Sequence, residues 1–134
     1  HLVKPLGFSL DSRQIRRAGL DYWPRVKLAV YETFEEFLGR MSPEPDQVAI
    51  FSKSGKTSFR DLPRPERLFL VFGSESKGLP RDLLDRYEEV SYHIPISPGI
   101  RSLNLSTAVG IVLYESLRPP LRPLIPSEGH SPCT

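Results

Sequence analysis

The chain has 134 residues, 39% hydrophobic and 25% charged, which suits one domain with its own core and excludes a disordered polymer. Lysine and arginine outnumber aspartate and glutamate by only 18 to 16, so net charge alone demands no nucleic-acid partner. No apolar run approaches the ~18 residues that span a membrane. Cys133 is the single cysteine, and His1, His93 and His130 lack metal-ligand spacing, so a metal-free protein of a reducing compartment, the cytoplasm, is expected.

Short apolar runs alternate with helical patterns, which predicts an α/β fold with a mostly parallel sheet and flanking helices. In chain order, Leu2–Lys4 reads as a strand, and "DSRQIRRAG" as a helix with an Asp11 N-cap and a Gly19 stop. Val26–Val30 reads as a second strand. "TFEEFLGR" carries a capping box, Thr33 with Glu36, and sets Phe34, Phe37 and Leu38 on one face. Strands follow at Val48–Phe51 and Leu68–Phe72. "LPRDLLDRY" is a proline-started helix burying Leu83, Leu84 and Tyr87, and Val90–Ile94 is the last strand. The 101–115 stretch "RSLNLSTAVGIVLYE" joins a polar knuckle to a helix with no clear solvent face. From Pro119 onward, five of the 14 prolines and no periodicity predict a disordered tail over 119–134.

Several stretches bear on chemistry. "SKSGKTS" (52–58) suggests a phosphate-binding P-loop, but that motif needs glycine at position 50, where Ile50 stands. No G-x-G-x-x-G follows a strand, so a dinucleotide fingerprint is absent too. "FGSESKGLP" (72–80) ends a strand in Gly73 and a polar turn, the place where open α/β sheets bind ligands and where glycine lets a flat ligand meet the main chain. "HIPISPGIRSLNLS" (93–106) repeats the arrangement. One cap suffices for the helix behind it, so Arg101, Ser102, Asn104 and Ser106 exceed what capping needs. Gly110 costs the helix roughly 1 kcal/mol relative to alanine, which implies a close neighbour, another helix or subunit. Arg13, Arg16 and Arg17 share a helix face with Tyr22 and Trp23 just beyond, so Arg16 and Arg17 are candidate RNA-phosphate contacts.

"KPLGFSLDSRQIRRAGLDYW" (4–23), "FGSESKGLP" (72–80), "IPI" (94–96) and "RSLNLSTAVGIVLYE" (101–115) together resemble the SPOUT-superfamily RNA 2′-O-ribose methyltransferases. Within them, the pattern is most similar to the tRNA (cytidine(34)-2′-O)-methyltransferases. The resemblance covers residues 1–118, and the three ordered motifs are specific in combination. It implies a SPOUT-type fold with a C-terminal trefoil knot, S-adenosylmethionine as methyl donor, tRNA as substrate, and a homodimer with cofactor sites near the interface. It also implies cofactor binding at Ile50, Gly73, Ile94 and Ser102. Glu75, Arg101 and Asn104 are the candidates for orienting ribose or phosphate. Thr107 departs from the family's usual asparagine and Ile96 from its common methionine. The family's first motif, a strand followed by P-x-N-T-G-N-x-x-R whose arginine is catalytic in related enzymes, is not in this sequence. The domain at 1–118 is therefore expected to be incomplete at its N-terminus. Two other readings of the resemblance are a related SPOUT 2′-O-methyltransferase acting on another tRNA position or on rRNA, and a non-catalytic RNA- or cofactor-binding protein.

Overall fold

The computed structural model describes residues 1–17, 19 and 22–119, the side chains of Ser12, Gln14 and Arg16 excepted. The tail expected over 119–134 lies, from residue 120 on, outside the described residues. Two parallel sheets form the frame. Strand β1 (Leu2–Val3) pairs with β2 (Val30–Tyr31), and β3 (Val48–Phe51), β4 (Thr57–Ser58), β5 (Phe69–Phe72) and β6 (Ser91–His93) form a sheet ordered β4-β6-β3-β5. Helices α1 (Ser12–Arg17), α2 (Phe34–Met41), α3 (Arg81–Arg86) and α4 (Leu105–Leu117) complete the described elements.

The residues of β3 are buried on both faces, as a central parallel strand requires, and its alternation divides the core. Val48 and Ile50 pack with Leu83 of α3 and with Phe34 of α2. Ala49 and Phe51 pack with Tyr92, Phe59, Leu62 and Val112 of α4. Helices therefore cover both sides. Val112 is 0% exposed, a burial that stabilises the fold by about 1.5–3 kcal/mol.

Helix α2 begins as its sequence predicts: Thr33 Oγ1 accepts from the Glu36 amide at 3.1 Å. The reciprocal half differs, because the Glu36 carboxylate accepts from the Glu32 amide, one residue before the cap. Phe37 is buried in an aromatic cluster with Tyr31 and Phe69, at ring centroids of 5.5 and 5.2 Å, and this seats the small sheet beside β5. At α1, Asp11 Oδ1 accepts from the Arg13 amide and Gly19 has φ +69°, the left-handed value of a helix stop.

Two strand expectations are corrected, and one strand is added. The strand read at Val26–Val30 is reduced to Val30–Tyr31, because Val26 ends a 3-10 turn at Trp23–Arg25 and β1 offers only two pairing residues. The strand read at Val90–Ile94 is Ser91–His93, since Val90 closes a second 3-10 turn and Pro95 cannot continue the ladder. No local pattern marks β4, which pairs with β6 through Thr57↔Tyr92 and Ser58↔His93.

Candidate active site

Because β3 lies between β5 and β6, the chain leaves it toward one side and returns on the other. Such a reversal opens a crevice beyond the carboxyl ends of the strands. Three segments line the crevice here: 51–54 after β3, 72–79 after β5, and residues of 94–108 after β6. The cleft measures about 490 Å³, within the range of small-molecule sites. Phe51, Phe72, Ile94, Leu103 and Ala108 give it an apolar wall, with the Phe51 and Phe72 rings stacked at 4.8 Å. Serine hydroxyls, main chain and charged side chains form its mouth.

The 73–79 turn closes on itself. The Ser74 amide donates to the Gly78 carbonyl at 3.2 Å, the Gly78 amide donates back to Ser74 at 2.8 Å, and Ser74 Oγ accepts from the Lys77 amide. Gly78 sits at φ +70°, a conformation that favours glycine. Gly73 is needed for a different reason than a flat ligand: a Cβ there would lie 2.1 Å from the Gly78 carbonyl carbon and 2.3 Å from the Leu79 nitrogen.

Two of the polar groups of the 101–106 knuckle, Asn104 and Ser106, have partners. Asn104 caps α4, its Oδ1 accepting from the Thr107 amide at 3.3 Å and from Ser106 Oγ at 2.5 Å. Its Nδ2 donates to Glu75 Oε1 at 3.1 Å, which clasps the 73–79 turn to the start of α4. Arg101 and Ser102 remain exposed on the cleft lining.

The 52–58 segment is held against β6. The Ser52 amide donates to the Tyr92 carbonyl at 3.1 Å, the Lys56 amide to Ser91 Oγ at 3.0 Å, and His93 Nδ1–H to the Gly55 carbonyl at 2.8 Å. A Cβ on Gly55 would lie 2.2 Å from the Tyr92 carbonyl. Lys56 is tied to Glu89, whose hydrogen bond raises the lysine above its ordinary value, so it stays charged and occupied at neutral pH.

Of the residues singled out in the sequence, Gly73, Glu75, Ile94, Arg101 and Ser102 line one cleft, and Asn104 reaches it through Glu75. Ile50 does not line it. It is 0% exposed and faces the α3 side of the sheet, while the next residue, Phe51, takes the wall position because side chains alternate along a strand. Arg17 is exposed on α1, away from the cleft lining, and the Arg16 side chain lies outside the described residues. Lys53, Lys77 and Gly55 were missed. The signal for Lys53 and Gly55 was the "SKSGKTS" segment directly after a buried strand, which failing as a P-loop did not make inert, and the signal for Lys77 was the "FGSESKGLP" turn itself.

Among the described residues no group of three or more His, Cys, Asp or Glu is placed to hold a metal ion, and no helix is long and apolar enough to cross a membrane. The sequence profile of the SpoU rRNA Methylase family matches residues 1–114. The chain belongs to that family. It is 40% identical over 119 residues to a tRNA (cytidine(34)-2′-O)-methyltransferase of Burkholderia ambifaria, covering 88% of this chain and 76% of the relative. A solved protein studied for the 2-OH methylation of C/U34 on tRNA superposes with a TM-score of 0.75 at 42% identity, covering 88% of this chain and 76% of that one. An AdoMet-bound rRNA methyltransferase from Sinorhizobium meliloti superposes with a TM-score of 0.72 at 27% identity, over 86% of this chain and 43% of that one.

Family membership places the cleft in a methyltransferase, and the residues present fit its cofactor. An apolar wall suits an adenine ring, and the hydroxyls of Ser52, Ser54 and Ser102 with the main chain of 73–79 suit a ribose and an amino-acid end.

Proposed function

We propose that this protein methylates the ribose 2′-hydroxyl of the wobble nucleotide, cytidine or uridine at position 34, in tRNA, with S-adenosylmethionine as methyl donor. The observation that carries this reading is the single cleft into which the three loop motifs converge, in a chain so similar to proteins of that activity. Bound there, S-adenosylmethionine would supply an electrophilic methyl group.

The chain's own residues have three tasks. Phe51, Phe72, Ile94 and Leu103 exclude water and hold the adenosine, with Gly73 and Ser102 contributing main chain and hydroxyl beside them. The Glu75–Asn104 clasp fixes the turn against α4, so donor and acceptor ends of the site keep one distance. Glu75, Arg101 and Asn104 orient the ribose and its phosphate, and in that arrangement the hydroxyl is aligned for in-line attack. The test is incubation with tRNA and labelled cofactor, followed by nucleotide mapping. Label at position 34, and none when that ribose is 2′-deoxy, is expected; label at another tRNA position or in rRNA would overturn the wobble assignment.

The reading extends to assembly and fold. Helix α4 lines the cleft with Leu105 and Ala108, and farther along exposes Leu113, Tyr114 and Leu117. A Cβ at Gly110 would meet nothing within 4 Å. An open glycine beside apolar side chains supports a homodimer packed on α4, with the cofactor site near the interface. The C-terminal trefoil knot belongs to the same reading, supported by α4 packing on both β5 and the Phe59–Asp61 turn.

Arg16 and Arg17 are assigned to tRNA phosphates on the basic face of α1. Replacing both with alanine should flatten the salt dependence of tRNA binding by up to roughly two charge units. Filter binding across a salt series checks this, and an unchanged slope would return that face to solvent.

A further inference from the structure

Several described cations on the other faces are answered by a carboxylate, Lys4 by Glu32, Arg40 by Glu36, Arg86 by Glu35 and Arg118 by Glu115, while others, such as Arg25 and Lys27, stand singly in solvent. At the cleft mouth, cations gather around one opening. Each of its three lining segments presents one exposed cation, Lys53 after β3, Lys77 after β5 and Arg101 after β6, and among the described residues none of the three has an ion-pair partner. The contrast within one segment is sharp: Lys56, three residues from Lys53, is consumed by Glu89 and does not line the cleft. Among the described residues Glu75 is the only carboxylate in the lining, and it is turned to Asn104, so the mouth carries three cations against one anion.

Three unanswered cations around one opening, over low-dielectric walls, focus a positive potential on whatever enters. A neutral or cationic small molecule has no use for that arrangement, whereas a polyanionic strand does. From this we infer that Lys53, Lys77 and Arg101 form a rim that grips the RNA backbone phosphates flanking the target ribose, so that the segment resembling but failing the P-loop pattern still meets phosphate, through a side chain instead of a main-chain cradle. This rests on the methyltransferase reading above and names the part of the site that seats its substrate. Phosphate contacts of this kind set register without reading sequence.

The test uses the full chain with Lys53→Ala and Lys77→Ala combined, leaving Arg101 in place. Affinity for a fluorescent anticodon stem-loop is measured by anisotropy from about 50 to about 200 mM salt, and for single-stranded contacts each lost cation should reduce the slope of log K against log salt by about 0.7, roughly 1.4 for the pair. The KM for tRNA should rise at least about tenfold at low salt while kcat and calorimetric cofactor affinity hold. Lys53→Arg with Lys77→Arg should restore the slope, because the charge is kept. An unchanged slope in the alanine pair, with cofactor affinity retained to show the fold intact, overturns the rim and leaves the methyltransferase reading standing. Lost cofactor affinity with unchanged RNA affinity also overturns it, assigning the lysines to the cofactor's carboxylate. A wild-type chain that neither binds nor methylates tRNA overturns both.

Discussion

Gly73→Val should abolish tight cofactor binding by springing the 73–79 turn open, not by filling the cleft. The added Cβ would stand 2.1–2.5 Å from three backbone atoms of Gly78 and Leu79, well inside the 3.0 Å below which real Cβ atoms essentially never fall. Backbone cannot swing aside as a long side chain does, so the mutual Ser74–Gly78 hydrogen bonds must break, at about 0.5–1.5 kcal/mol each. The turn then no longer presents Glu75 to Asn104. Calorimetry should report at least a tenfold loss of cofactor affinity, about 1.4 kcal/mol, with a lowered melting temperature. Gly78→Ala is the informative companion. It has open space but a left-handed backbone, so strain of roughly 1–2 kcal/mol is its whole cost, and binding should weaken less. Unchanged cofactor affinity in folded Gly73→Val would remove this turn from the site.

The second large effect concerns association. Tyr114 and Leu117 are 78% and 69% exposed on α4, an unusual position for residues of that size on a helix this apolar. Replacing both with glutamate should convert a dimer to a monomer in sedimentation velocity. In a two-fold interface each change counts twice, and at about 1.5 kcal/mol or more per buried side chain the dissociation constant should rise at least about a thousandfold. Gly110→Leu separates packing from charge. Within one chain its Cβ meets nothing within 4 Å and helix propensity improves by roughly 1 kcal/mol, yet the side chain would overpack a facing helix. A more stable protein that no longer dimerises is the expected signature. A wild-type chain sedimenting as a monomer at micromolar concentration would sink the proposal.

Much of the parallel sheet was legible because β3 and β5 are short apolar runs bounded by polar turns, and such runs fit strands inside a parallel sheet. The Thr33 cap and the Asn104 start of α4 were legible for a local reason, since a cap is a contact between residues three apart. What stayed hidden depends on partners distant in sequence. Thr57 and Ser58 are a strand only because Tyr92 and His93 lie alongside. Gly55 looks like any loop glycine until Tyr92 is brought against it. Ile50 was expected beside a ligand by resemblance, and only the register of β3 shows that its side chain packs toward α3 while that of Phe51 lines the cleft. The knuckle at 101–106 was read as more than a cap, but the bond Asn104 makes beyond α4 goes to Glu75, which enters from another loop and left no local signal.

The stitching of 52–58 onto β6 makes the cleft mechanically lopsided. The wall following β3 is joined to strand β6 by amide bonds from Ser52 and Lys56, by the His93–Gly55 bond and by the β4–β6 ladder, and behaves as a stiff jaw. The opposing jaw, 73–79, is secured mainly to itself and meets α4 through a single side-chain clasp at Asn104. Closing around a ligand therefore orders little on the first side, and the entropy lost on binding falls almost wholly on a short turn whose tip residue, Glu75, must let go of or keep its hold on Asn104. That one hydrogen bond sits where a shift in the grip on the cofactor would be felt first by the nucleotide being modified.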